Sequence, residues 1–167
     1  MAITQQLARL AAEDLVQCRL SIRMLDCLCS FELRAPEEYL DLDWSPGPLE
    51  TLAAQIGTEL SAAIREACAG GEEINPACRE FPRSIFLHPV RALEPDAVRA
   101  VAAALTRIAP EDLIVLLPPD AEAAKQLAGM DEFIGHPGAY LREHYGALRR
   151  FYEFAAASGQ ATATWWD

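Results

Sequence analysis

The chain contains no apolar run long enough to cross a bilayer, which excludes a membrane-spanning helix. Its first ten residues carry neither a basic n-region nor a long apolar h-region, so no signal peptide is expected. Basic side chains are scarce: 14 Lys and Arg stand against 25 Asp and Glu, a formal charge of −11. Such a surface repels nucleic acid and anionic membranes on average, so neither is expected as a partner, whereas a basic protein would be attracted. The same acidity has a simpler role, which is to keep a cytoplasmic protein soluble.

Catalytic signatures are missing as well. Gly70-Gly71 is not followed by a lysine and a hydroxyl residue, so there is no phosphate-binding loop, and no Gly-x-Ser-x-Gly elbow occurs. Histidine is limited to His88, His136 and His144. His136 and His144 lack the i, i+4 spacing that sets two imidazoles on one helical turn, so no metal and no cofactor is expected. The five cysteines, Cys18, Cys27, Cys29, Cys68 and Cys78, are odd in number, and one residue between Cys27 and Cys29 is not zinc-finger spacing. Reduced core thiols in a cytoplasmic protein fit them best.

What is present is enough for a core. Hydrophobic residues make up 51% of 167, which rules out a disordered chain, and the length fits one domain over residues 1–167. No linker or internal repeat divides it. Apolar residues at three- and four-residue steps predict a helix over residues 13–28, with Leu15, Cys18, Ile22, Leu25 and Leu28 on one face. A second helix should start at Pro48, turn Leu49, Leu52, Ile56, Leu60, Ile64 and Ala67 inward, and stop at Gly70-Gly71. Further helices are expected after Pro95, after Pro110, and from Asp120 to Met130.

Residues 84–93 are apolar but interrupted by Pro89, so a strand there must be an edge, bent, or confined to one side of the proline. Residues 2–10 are ambiguous between a helix and an edge strand. The end of the chain is more telling. A helix over 137–158 carries Leu141, Tyr145, Leu148 and Tyr152 on one stripe, Gly159 stops it, and a strand runs out to Trp165-Trp166-Asp167. In that strand Ala161, Ala163 and Trp165 share one side, and Thr162, Thr164 and Trp166 the other. Bulk on both sides predicts a central strand, covered twice.

Four segments carry a resemblance to a known family. They are Met1 to Arg9 followed by Glu13-Asp14-Leu15, the run Leu40-Asp41-Leu42-Asp43-Trp44, the stretch from Val90 to Val98 with Pro95 at a helix start, and the closing segment from Tyr140 to Asp167. In pattern and order these resemble a YfbM-like protein, a bacterial family of unknown function. The resemblance implies an α+β fold, a small mixed sheet of N-terminal, middle and C-terminal strands covered by about five helices. It tips residues 2–10 towards strand. It carries no catalytic motif.

Two irregular segments are the candidate working surfaces. The loop before Pro48 holds Glu37, Glu38, Asp41, Asp43 and Trp44, and residues 129–138 hold His136 and lead to Tyr140. The expected role is a non-catalytic binding module whose acidic surface, with Trp44 as anchor, meets a basic protein partner. An immunity or antitoxin protein against a basic toxin is one concrete form. The rival is a small-molecule binder or hydrolase with its site between the 31–48 and 129–138 loops, through Asp41, Asp43, His136 and Tyr140. That rival requires the two loops to meet.

Overall fold

A computed structural model describes residues 4–77 and 89–167. Among them are five strands and eight α-helices: β1 (Gln5–Leu10), α1 (Ala12–Leu20), α2 (Ile22–Cys29), β2 (Tyr39–Asp41), α3 (Pro46–Ile56), α4 (Thr58–Ala69), β3 (Glu72–Glu73), β4 (Arg91–Leu93), α5 (Pro95–Leu105), α6 (Pro110–Ile114), α7 (Ala121–Ala128), α8 (Gly138–Ala157) and β5 (Ala161–Trp166). The class is α+β. The strands form one sheet in the order β2-β1-β5-β4-β3. Every pair is antiparallel, where a mixed sheet was expected. No helix among the described residues is long and apolar enough to cross a membrane.

The terminal strand is central, as its two-sided bulk requires. β5 pairs with β1 along its whole length, from Gln5 opposite Trp166 to Leu10 opposite Ala161, and with β4 on its other edge. Ala161, Ala163 and Trp165 face a core built with Leu15, Cys18, Leu25, Leu28 and Cys29 from α1 and α2. The opposite face packs against α3 to α8, whose core includes Leu49, Ile64, Val98, Leu105, Leu141, Leu148 and Tyr152. Leu7 and Leu93 point to this larger core, and Ala8 and Ala92 to the smaller one, the two-residue alternation of a pleated sheet.

The helix expected over 13–28 is two helices. Ser21 leaves the helical conformation (φ −134°, ψ 116°), and its Oγ accepts the Met24 N–H as the N-cap of α2. The helix expected from Pro48 begins instead at Pro46 and is broken by the extended Gly57 into α3 and α4. Ile56, expected inward, is the last residue of α3, at the break itself, and is 38% exposed. Residues 39–41, expected as loop, and residues 72–73, just past the expected helix stop, pair as short edge strands. β4 lies wholly on the C-terminal side of Pro89. Cys78, His88 and the part of the expected 84–93 strand that precedes Pro89 fall outside the described residues.

Buried polar side chains finish the α4 C-terminus, whose last carbonyls have no helical partner. The Tyr152 hydroxyl donates to the Ala67 carbonyl at 2.7 Å, and the Thr164 hydroxyl to the Cys68 carbonyl at 3.0 Å. Gln5 Nε2 also donates to the Cys68 carbonyl, and to Thr164 Oγ1 at 2.9 Å. Helix, first strand and last strand are thus tied by hydrogen bonds that water cannot reach.

Candidate functional site

The two loops do meet. On the first, Leu42 is fully buried and holds the chain to the core, while Asp43 takes a left-handed conformation (φ 52°) and turns Trp44 outward to 59% exposure. Aspartate tolerates that conformation better than most residues. The turn is fixed locally: the Asp43 N–H donates to Asp41 Oδ1 (2.7 Å), and the fully buried Ser45 donates through Oγ to the Leu42 carbonyl (2.7 Å). It is also fixed to the sheet, because Gln5 N–H donates to the Asp43 carbonyl (3.2 Å) and Leu42 N–H to the Gln5 carbonyl (2.9 Å).

The second loop leaves α7 through Gly129 in the left-handed conformation (φ 69°). The Gly129 N–H donates to the Gln126 carbonyl and the Met130 N–H to the Lys125 carbonyl. Gly is the residue such a helix end favours. The segment then carries Asp131, Glu132, Phe133 and Ile134, the last 95% exposed, before Gly135 (φ 86°) returns the chain towards α8. A cleft of about 770 Å³ lies between Trp44 and Pro48 on one side and residues 129–134 on the other.

Tyr140, in the first turn of α8, links the loops. Its hydroxyl donates to Asp43 Oδ2 at 3.1 Å and accepts the Trp44 N–H at 3.3 Å. Its ring lies 5.2 Å from that of Phe133 and 4.2 Å from that of His144. Burial, and then the hydrogen bond to the Asp43 carboxylate, push the Tyr140 phenol well above its ordinary value, so it stays a neutral donor.

Of the seven residues singled out from the sequence, Asp41, Asp43, Trp44 and Tyr140 are joined by hydrogen bonds here, and of these Trp44 lines the cleft itself. His136 sits in the second loop but does not line the cleft. Its Nε2 pairs with the Pro118 carbonyl at 2.9 Å, and its Nδ1 accepts the Gly138 N–H at 3.1 Å. Both ring nitrogens therefore hold the approach to α8. Glu38 lies at the opposite end of β2 from Asp41. It pairs with Arg34 at 2.6 Å, and Arg34 also pairs with Asp14 at 2.5 Å. The Arg34 hydrogen bond holds the Glu38 carboxylate below its ordinary range.

Asp131, Glu132, Phe133 and Ile134 also line the cleft, although none of them was among the expected binding residues. The signal was the apolar pair Phe133-Ile134 directly after two acids, in a short loop between two glycines. Among the described residues no group of three or more His, Cys, Asp and Glu side chains could hold a metal ion. The chemistry the arrangement offers is recognition: an exposed indole, a second ring, and carboxylates around one concavity.

No family model matches the chain, and no curated protein does. Among solved structures it is similar to a protein of unknown function, YfbM from Escherichia coli, at 13% identity. The match covers 98% of this chain and 99% of that one, with a TM-score of 0.60. At that identity the likeness shows the fold alone, and the chain has a YfbM-like α+β fold.

Proposed function

We propose that the chain, acting as a single unit over residues 1–167, is a non-catalytic binding module of the bacterial cytoplasm that engages a basic protein partner. The observation that carries this reading is the meeting of the two acidic loops at one concave surface, where Trp44 is 59% exposed beside Asp43. A large aromatic that is more than half exposed beside carboxylates is the composition of an interface anchor. The formal charge of −11 adds long-range attraction for a basic partner. An immunity or antitoxin protein that masks a basic toxin fits the same surface.

Calorimetric titration with a short oligo-arginine peptide, at low and at high salt, tests the reading. Binding at low salt that weakens steeply with salt is expected, with an oligo-glutamate peptide inert. No heat at low salt overturns it.

The loops' convergence also favours a second reading, a small-molecule binder, because about 770 Å³ lies within the range of ligand pockets. Thermal-shift screening of neutral metabolites distinguishes it: a stabilising compound that loses its effect in Trp44→Ala would favour this reading over the first.

A further inference from the structure

The lining of the cleft is unusual in its balance. Trp44, Phe133, Ile134 and Met130 give it apolar walls, Asp131 and Glu132 give it two carboxylates, and no lysine or arginine among the described residues lines it. Asp43, adjacent to Trp44, is held in place by the Tyr140 hydroxyl at 3.1 Å. An apolar occupant would desolvate these carboxylates with nothing in return. A hydrated ammonium would have to shed its water to reach the rings. A guanidinium matches both demands, since its planar face stacks on an indole while its N–H edges donate to carboxylates, and it is the more weakly hydrated cation.

We infer that the cleft between Trp44 and residues 129–134 is an arginine-binding site, which takes the side chain of an arginine-rich segment of the partner against the Trp44 indole, with Asp131 and Glu132 receiving its N–H groups. This deepens the binding-module reading and rests on it. Tyr140 is a positioning residue: its hydroxyl fixes the backbone N–H of Trp44 and the carboxylate of Asp43, so the indole is presented before a ligand arrives.

The test uses the full chain labelled with nitrogen-15 and three blocked peptides of equal length, in which alternate positions are arginine, lysine or citrulline. Citrulline keeps the arginine shape and loses the charge. The indole N–H signal of Trp44 is identified by its loss in Trp44→Leu. The arginine peptide should shift that signal in a saturable way, the lysine peptide should bind more weakly, and the citrulline peptide should bind about ten-fold more weakly or less. Trp44→Leu, which keeps apolar area but removes the ring, should weaken the arginine peptide about five-fold. The pair Asp131→Asn with Glu132→Gln should weaken it as well and flatten its salt dependence.

If citrulline shifts the Trp44 signal as strongly as arginine, or if Trp44→Leu and the carboxylate pair both bind like the parent, the arginine site falls. Salt-sensitive binding of the arginine peptide elsewhere would then leave the basic-partner reading standing. No binding of any basic peptide removes both.

Discussion

The hydroxyl of Tyr140 and Oδ2 of Asp43 meet at 3.1 Å across 97 residues of chain, and that one bond joins the start of the last helix to the loop that carries Trp44. Tyr140→Phe keeps the ring contacts to Phe133 and His144 but removes the bond and the acceptor for the Trp44 N–H. A hydrogen bond to a charged, half-buried carboxylate sets the loss at about 1–2 kcal/mol in denaturant unfolding. Amide exchange at Trp44 should quicken by more than the global loss of stability explains. Exchange that follows global stability alone would mean the turn holds Trp44 without Tyr140.

How much of this was legible from residues depends on what each residue touches. The closing strand could be read because alternation puts Trp165 and Trp166 on opposite faces, and both faces of β5 are in fact covered. β1 could not. All six of its residues are buried, yet Gln5, Gln6 and Arg9 are polar, so no apolar period of two is visible. Their partners are distant or conformational: the Cys68 carbonyl for Gln5, Thr4 for Gln6, and the Glu37 carbonyl for Arg9, whose guanidinium also lies 4.0 Å from the Phe154 ring centre. The site was legible as two loops. Which side chains serve it was not, because His136 and Glu38 look free in a sequence and are taken up by the Pro118 carbonyl and by Arg34.

Trp165 and Trp166 offer a direct check on the central strand. Trp165 is 1% exposed and packs with Phe31 and Tyr39, whereas Trp166 is 37% exposed. Trp165→Ala should cost about 3–5 kcal/mol through lost burial and the cavity it leaves. Trp166→Ala should cost about 1–2 kcal/mol, in proportion to the smaller area it buries. Equal losses in urea unfolding would contradict the placement of β5 in the sheet.

Phe31 stands where helix ends usually have glycine. It has φ 61°, its N–H donates to the Leu28 carbonyl, and the next N–H, of Glu32, donates to the Cys27 carbonyl, a pattern repeated at α7 and α8 with Gly129 and Gly159 in that position. The strained residue is kept because its ring packs 5.1 Å from Tyr39 and 5.8 Å from Trp165. Phe31→Ala loses the ring and keeps the strain, while Phe31→Gly loses the ring and relieves it. The glycine variant should therefore be more stable than the alanine variant by about 1 kcal/mol. An alanine variant as stable as the glycine one would show that the left-handed conformation carries no strain at this position.

Glu38 gives the acid side of the stability profile. Its folded value is held below the ordinary 4.5, chiefly by the hydrogen bond from Arg34. A lowered carboxylate contributes stability that is present above its unfolded value and is lost as pH falls through the folded one. Glu38→Gln should lower stability at neutral pH and make the decline below about pH 4.5 shallower. Parallel acid curves for parent and variant would mean that the Arg34 pair contributes nothing to folding.

The alkaline side rests on the tyrosines, and all four are shifted the same way. Burial is the first cause in each: it raises Tyr39, Tyr140 and Tyr152 above the ordinary 10.0 and pushes Tyr145 up to about 12. Tyr152 is fully buried, and its hydroxyl is committed to the Ala67 carbonyl at 2.7 Å. A raised phenol contributes stability that is complete below its unfolded value and is lost as pH rises above it, because the unfolded chain ionises first. Phenolate absorbance should thus stay low through pH 10.0, where free tyrosine is half ionised, and then rise in one step with the loss of helical circular dichroism. Tyr152→Phe should weaken the fold at neutral pH by about 1–3 kcal/mol, since the Ala67 carbonyl loses its donor. The same variant should decline less steeply above pH 10.0, having one raised phenol fewer. Gradual ionisation centred near 10.0 with the helices intact would show that these hydroxyls are open to water and that the α8 stripe is not where the core sits.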